Sequence, residues 1–500
     1  MKKSPGILSA ALATLAAAAA LHAAAPKRPN VLFIISDDLR PELGCYGADY
    51  MHTPNIDRLA KTGTLFARPY VQQAVCAATR ASFLTGCRPD TTGVDYPYTK
   101  YFVDTFLKEK PSIMRAFMEQ GYHVRTFGKV HHGLIEPLSE PHFKPSAGYY
   151  VMAETIKRTG GKKGDAAKGR APVAELGDKP DSAYQDGQIA DAVVETLGRV
   201  AKLDEPFFLA VGFQKPHLPW VAPKKYADLY DIDTVPLSPN PRPNAGVPEY
   251  ATSHHAITKF AGYPSDDVTV AQQRELRRDY FACVSFVDAQ VGRVLDALEK
   301  SGAAASTIVV FIGDHGWHLQ DQGMWGKTTN YEHSTWSPLI VRAPGFAAAQ
   351  RSNALVEYVD IFPSLLDLCG LAQPDYLEGT SFKPLLAQPD APWKTAAFSQ
   401  FPRRNAVEGY AIRTDRYRYV EWRDKKNGAV TACELYDHKT DPDEIANLAD
   451  QPGRAALLAE MARQLHAGWK AALPAGVANR SNNPPAPPSE KLRDSENEPD

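Results

Sequence analysis

Apolar runs and amphipathic stretches alternate along most of this chain. Val31–Ile35, Phe207–Phe213, Thr307–Ile312 and Pro338–Val341 are short and continuously apolar, the pattern of strands buried on both faces. Between them the period changes to that of a helix. Thr53 followed by Pro54 predicts an N-cap and first turn, with Gly63 closing the helix. Phe281, Val284, Val291, Leu295 and Leu298 share one helical face that ends at Gly302, and Val359–Leu368 predicts a further helix closed by Gly370. Alternation of this kind implies an α/β fold: a large mixed, mostly parallel sheet sandwiched by helices.

Three regions depart from the pattern. Residues 157–182, rich in Gly, Lys and Ala, predict a surface loop, and residues 231–268, rich in Pro and polar residues, predict excursions over the sheet. From about residue 395 short strands take over, among them Ala411–Arg413 and Tyr417–Glu421, followed by a helix from Arg454 to about Ala472. The expected organisation is a catalytic domain over 26–392 and a smaller C-terminal α+β domain over 393–480. Residues 481–500, charged and proline-rich, have the composition of a disordered tail.

The first 25 residues stand apart. Lys2 and Lys3 precede an alanine-rich apolar run from Ile7 to Leu21, and Ala23-Ala24-Ala25 offers small residues for cleavage. This predicts a secretory signal peptide over 1–25. The run is shorter than the ~20 residues that span a bilayer, and no cysteine lies near the cleavage site to carry a lipid. An exported protein, periplasmic or secreted and without a membrane anchor, is expected.

Charge and cysteine content narrow the chemistry. A formal net charge of -2 gives no general affinity for nucleic acid, so any anion site must be local, built from a few converging basic residues. Six cysteines, at 45, 76, 87, 283, 369 and 433, are few for an exported chain of this length. Cys283 and Cys369 fall in apolar helical patterns and read as buried thiols. No cysteine spacing points to a metal cluster, and no disulfide is assigned.

In open α/β sheets, function collects at the carboxyl ends of strands. Val31–Ile35 runs into Ser36-Asp37-Asp38, and Thr307–Ile312 into Gly313-Asp314-His315-Gly316. Either pair alone can be a turn or a cap. Together they supply three carboxylates and an imidazole, enough to hold a divalent cation. Between them lies Val75-Cys76-Ala77-Ala78-Thr79-Arg80, running on to Gly86 as a helix. Arg80 would lie one turn beyond Cys76 on the same face, beside a helix N-terminus that favours an anion. These residues alone leave open a buried cysteine with a solvent-facing arginine.

Cys76-Ala77-Ala78-Thr79-Arg80 resembles the Cys-x-Pro/Ala-x-Arg motif of the formylglycine-dependent sulfatases of the alkaline phosphatase superfamily. The resemblance runs from Arg28 to about Leu448. It includes Asn30–Arg40, Gln72–Cys76, Arg88–Gly93, Gly128-Lys129-Val130-His131-His132, Lys215-Pro216-His217, Gly313–Trp317, Trp325-Gly326-Lys327 and Glu434–Asp437, most like the iduronate-2-sulfatase-like branch. It implies an alkaline phosphatase-like fold and a sulfuric ester hydrolase acting on a sulfated saccharide. Cys76 would be converted to formylglycine by a maturation enzyme. Asp37, Asp38, Asp314, His315 and the modified residue 76 would bind one divalent cation, expected to be Ca2+, and Arg80 would hold the modified side chain. Lys129, His217 and Lys327 would bind sulfate oxygens or assist proton transfer. The histidine after Lys129 stands two residues on in some sulfatases (His131) and three in this branch (His132), and His132 is favoured.

Two features depart from the commoner pattern. Within the motif, Ala78 stands where many relatives have proline, and Thr79 where serine is usual. At the cation site, His315 replaces a more common asparagine. Calcium prefers oxygen donors, so this histidine marks the branch and admits a transition metal.

The implied chemistry suits a sulfate monoester. An ordinary serine or cysteine would be trapped as a stable ester after attacking sulfur. A hydrated aldehyde has two hydroxyls on one carbon, one to attack and one to expel the sulfate afterwards. A phosphonate or phosphodiester hydrolase on the same fold is the alternative, and a catalytically silent glycan-binding relative would require Cys76 to stay unmodified. Residues 135–185 and 231–268 are the loops expected to select the sugar.

Overall fold

The computed structural model describes residues 28–146, 172–252, 256–260, 263, 265–403 and 406–486. The segment expected to be a signal peptide, and most of the loop expected at 157–182, lie outside them. The later part of that loop, Ala174–Gly177, is a short strand paired in parallel with Trp220–Pro223.

Seven strands form the central sheet: β1 (Asn30–Asp37), β2 (Thr64–Tyr70), β3 (His123–Gly128), β4 (Phe207–Pro216), β5 (Thr307–Gly313), β6 (Leu339–Arg342) and β7 (Gln350–Glu357). Their spatial order is β7–β2–β6–β5–β1–β4–β3. β3, β4, β1 and β5 run parallel, as do β2 and β7. β6 lies antiparallel between β2 and β5, which makes the sheet mixed.

Both faces are buried, so the strands read as continuous apolar runs, yet alternate residues serve different layers. Leu32 and Ile34 of β1, with Leu209, Val211, Val309 and Phe311, pack beneath α1 (Pro54–Lys61), α4 (Gln185–Val200) and α5 (Val270–Lys300). Val31, Phe33 and Ile35, with Phe208, Ala210, Val310 and Ile312, face α2 (Cys76–Thr85), α3 (Ile113–Glu119) and α6 (Ile361–Leu368).

Thr53 stands at the N-cap of α1 and Pro54 in its first turn, as expected, but the Thr53 side chain does not cap the helix. Thr53 Oγ1 accepts from the Gly44 N–H and lies 3.3 Å from Asp57 Oδ1, and it makes no capping bond. Asp288 of α5 caps the helix instead, its carboxylate accepting from the amides of Asn55 and Ile56. A cap supplied from so far along the chain leaves no local signature.

The smaller C-terminal region is an antiparallel sheet of β8 (Ala396–Arg403), β9 (Val407–Thr414), β10 (Tyr417–Asp424) and β11 (Val430–Asp437), with α7 (Ala455–Ala471) packed on it. Gly468, at φ 74°, breaks α7 near its end. Residues 481–486 do not behave as the disordered tail their composition suggests. Ser481 is buried, Asn483 Nδ2 donates to Glu378 and Tyr376, and the Ala486 N–H reaches Asp90 O. All six cysteines are free thiols, and Cys283 and Cys369 are buried. No helix among the described residues is long and apolar enough to cross a membrane.

Candidate active site

The parallel registers decide what meets at the carboxyl edge of the sheet. Ser36 pairs with Gly313 of β5 and with Phe213 of β4, and Gly128 of β3 pairs with Gly212 of β4. Asp37 and Asp38, Asp314 and His315, Lys129, and His217 therefore emerge from four neighbouring strands. Asp38 has φ 60°, a left-handed conformation that aspartate tolerates better than most residues. Its N–H donates to Asp314 Oδ1 at 2.9 Å, joining the ends of β1 and β5.

Cys76 is the first residue of α2, after an extended Val75, and its side chain enters this cluster. Its Sγ lies 3.3 Å from Asp37 Oδ1, 3.4 Å from His315 Nε2 and 3.0 Å from Lys327 Nζ. One turn on, Arg80 is fully buried, which removes the solvent-facing alternative. Arg80 Nε donates to Asp314 Oδ2 at 3.0 Å, and Nη2 lies 3.2 Å from Asp37 Oδ1. Its Nη1 donates to the carbonyls of Lys129 and Val130. The Thr79 hydroxyl adds a 2.8 Å bond to Asp314 O. The Cys-x-x-Thr-Arg spacing thus ties α2 to β1, β5 and the turn after β3.

Two ammonium groups complete the cluster. Lys129 Nζ is 2.7 Å from Asp37 Oδ2, and Lys327 Nζ is 2.6 Å from Asp38 Oδ1. His217 Nε2 stands 4.0 Å from Asp38 Oδ2. The approach of Lys129 needs a glycine opposite: a Cβ on Gly212 would meet the Lys129 carbonyl oxygen at 1.9 Å.

Burial sets the protonation states. It pushes the Cys76 thiol well above its ordinary range, and Asp37 adds to the effect, so the sulfur stays neutral. Burial also opposes charge on Asp37, but Lys129 and Arg80 outweigh it and hold the carboxyl well below its usual range. Asp314 is pushed up to about 8 by burial and by Asp37, despite Arg80. Lys327, facing Asp38, stays protonated, its pKa raised against the burial that opposes it. Burial and Lys327 lower His315 to about 3. The His315 Nδ1 lies 2.9 Å from Gly316 O, which assigns the proton there and leaves the Nε2 lone pair facing the carboxylates.

This donor set fits a divalent cation. Ligand atoms of Asp37, Cys76, Asp314 and His315 lie within 4.8 Å of one another, as do those of Asp37, Asp38, Cys76 and His217. Asp38 Oδ2 is buried without a hydrogen-bond partner, and burial together with the repulsion of Asp37 raises Asp314. A cation among them would satisfy the orphaned oxygen and relieve that repulsion.

The two candidate histidines differ. Both His131 nitrogens are engaged, Nε2 at 2.7 Å from Glu136 Oε2 and Nδ1 at 3.4 Å from Tyr98 Oη. His132 is half-buried, its ring edge-on to Tyr96 and Tyr98 and its N–H donating to Tyr98 Oη at 3.2 Å. Tyr98 and Glu136 were not predicted from sequence. Nor was Asp186 at the start of α4, whose carboxylate accepts from the amides of Gln214 and Lys215 and so anchors the turn that carries His217. An isolated acidic or phenolic residue has no spacing signal.

Known proteins resemble this chain in sequence and in fold. The family model described as Sulfatase matches residues 29–371, and that for the C-terminal region of N-sulphoglucosamine sulphohydrolase matches 313–470. Iduronate 2-sulfatase of Homo sapiens is 34% identical over 470 residues, covering 79% of this chain and 84% of the relative. A solved structure in complex with its substrate, D-glucosamine-2-N,6-O-disulfate, superposes with a TM-score of 0.71 at 24% identity, covering 88% of this chain and 97% of the other. The phosphonate monoester hydrolase of Agrobacterium radiobacter gives a TM-score of 0.71 at 25% identity, covering 88% and 95%.

Proposed function

The chain belongs to the sulfatase family of sulfuric ester hydrolases, and from that premise we propose that it hydrolyses a sulfate monoester on a saccharide with formylglycine, made from Cys76, as nucleophile. One observation carries this reading: Cys76 Sγ sits at the start of α2 between Asp37, His315 and Lys327. A thiol held neutral by burial is a weak nucleophile, so the unmodified residue is poorly suited to the work. The hydrated formylglycine would supply one hydroxyl to attack sulfur and a second whose loss of a proton expels sulfate and restores the aldehyde, and a Ca2+ held by Asp37, Asp38, Asp314 and His315 would lower a hydroxyl pKa and polarise a sulfate oxygen.

The side chains divide the remaining tasks. Asp37, Asp38, Asp314 and His315 hold the cation, and Arg80 fixes the side chain of residue 76. Lys129 and Lys327, with His217, offset charge on the sulfate oxygens in a site largely closed to water. Burial and Lys129 hold His217 well below the usual histidine range, so it serves as an acceptor or neutral donor. We assign protonation of the departing sugar oxygen to His132 on the resemblance to the iduronate-2-sulfatase-like branch, with His217 the other candidate.

The saccharide class rests on the 34% identity to human iduronate 2-sulfatase. Residues 1–25 are proposed as an export signal, with maturation by a formylglycine-generating enzyme. The test is mass spectrometry of the peptide containing residue 76, from a host with maturation machinery, beside a panel of sulfated oligosaccharides. A formylglycine with sulfate released supports the proposal. An unmodified thiol in the native host and no sulfate released would sink it. Faster turnover of aryl phosphonates than of sulfate esters would favour the phosphonate hydrolase reading.

A further inference from the structure

Lys327 reaches the site from a loop whose geometry depends on the C-terminal sheet. Thr328, the next residue, has φ 72°, a left-handed conformation unfavourable for a β-branched side chain. Its peptide groups are held from both sides. The Thr328 N–H donates to Ala74 O at 3.1 Å, two residues before Cys76. Arg403 Nη1, at the end of β8, donates to Thr328 O at 2.8 Å. The same guanidinium donates through Nε to Tyr250 O and through Nη2 to Ala251 O, both within the 231–268 excursion. Phe401 and Trp422 lie against it, with ring centroids 4.8 and 5.4 Å away. No carboxylate among the described residues forms an ion pair with Arg403, and burial lowers it to about 10. Its direct hydrogen bonds all go to carbonyl oxygens, and Glu434 and Glu408 act on it only from a distance.

We propose that Arg403 is a positioning residue for the sulfate-binding lysine: by clamping the carbonyls of Thr328, Tyr250 and Ala251, it holds Lys327 Nζ against Asp38 and residue 76. This rests on the role given to Lys327 above. It makes the C-terminal sheet a working part of the site. Only a planar guanidinium presents several N–H groups in a fixed fork, so lysine is a partial substitute. Without the clamp, Thr328 relaxes from its left-handed conformation and Lys327 moves with it.

The test is a double-mutant cycle on the full-length, matured enzyme, using R403K, K327A and the double variant with a small fluorogenic aryl sulfate. R403K is expected to lower kcat roughly 10- to 100-fold, the size of loss that a misplacement of about 1 Å produces, with KM changed less than about three-fold. In the K327A background the same change should cost little more. An equal loss in both backgrounds would overturn the proposal, because Arg403 would then act independently of Lys327. A crystal structure of R403K gives a readout independent of activity, and R403Q serves if R403K fails to fold. The 2.6 Å contact between Lys327 and Asp38 should open. If it is unchanged the proposal fails, whatever the enzyme hydrolyses. A wild type inactive on all sulfate esters would instead count against the proposed function.

Discussion

At the scale of single residues, the site packs three carboxylates and three cationic side chains into a small, buried volume. Lys327 is protonated at any working pH because Asp38 holds its proton. Removing it leaves Asp38 with a weakened set of partners and, on the proposed function, the sulfate with one fewer cation. K327A should therefore lower kcat on an aryl sulfate by roughly 10²–10³, the range for one lost charge-stabilising donor. The carboxylates make a second expectation. With Asp37, Asp38 and Asp314 crowded together, a chelator should lower the thermal midpoint as well as activity, and added Ca2+ should restore both. A midpoint indifferent to chelation would remove the cation from the proposal.

At the scale of elements, the close approaches matter as much as the side chains. β4 and the turn after β3 meet at Gly212, where a methyl group would lie 1.9 Å from Lys129 O. G212A should destabilise the protein by about 1–3 kcal/mol through overpacking, read as a lower urea midpoint. It should also reduce kcat by more than this stability loss explains, because Lys129 is pushed away from Asp37. What sequence reveals follows the same division. The strands at 31–35, 207–213 and 307–312 were legible because burial on both faces leaves an apolar run, and their ends located Asp37 and Asp314. α2 was legible because Gly86 ends it with φ 67°. The antiparallel course of β6 was not, because direction leaves no mark on composition. Arg403 and the Asp288 cap were hidden for another reason: each acts on backbone groups far away in sequence, and any residue supplies a carbonyl or an N–H. Composition also misled at residues 481–486, where individual asparagine and serine bonds fix a segment that lacks an apolar face.

At the scale of the whole molecule, the two regions are joined by a buried charge network. Arg418 of β10 donates to Glu332 and Glu444, Arg413 of β9 lies 3.3 Å from Glu332, and Tyr70 of β2 donates to Glu332 at 2.7 Å. Burial opposes charge on Glu332, but Arg413, His438 and Arg418 hold its carboxyl well below the usual range, and Glu444 is lowered by Arg418 and His438. Because both folded-state values lie below the unfolded value of about 4.3, their contribution to stability is complete above that pH. It is lost as the pH falls through the lower folded values. The urea midpoint should therefore decline steeply below about pH 4, and an E332Q/E444Q double variant should flatten that decline. R418M, leaving buried Glu444 without its main partner and Glu332 with one fewer, should cost about 3–5 kcal/mol at neutral pH.

The depth of Cys76 has a consequence in time. At 3% exposure, its sulfur is closed off from another enzyme's active site once the chain has folded around it. Oxidation to the aldehyde would then compete with folding, and a molecule that folds first would be sealed as an inert, stable product. Thiol-containing protein purified in its native state should resist conversion by added maturation enzyme, whereas a denatured peptide spanning residue 76 should accept it. The yield of active molecules would then be set by the order of two events during synthesis, before any substrate is met.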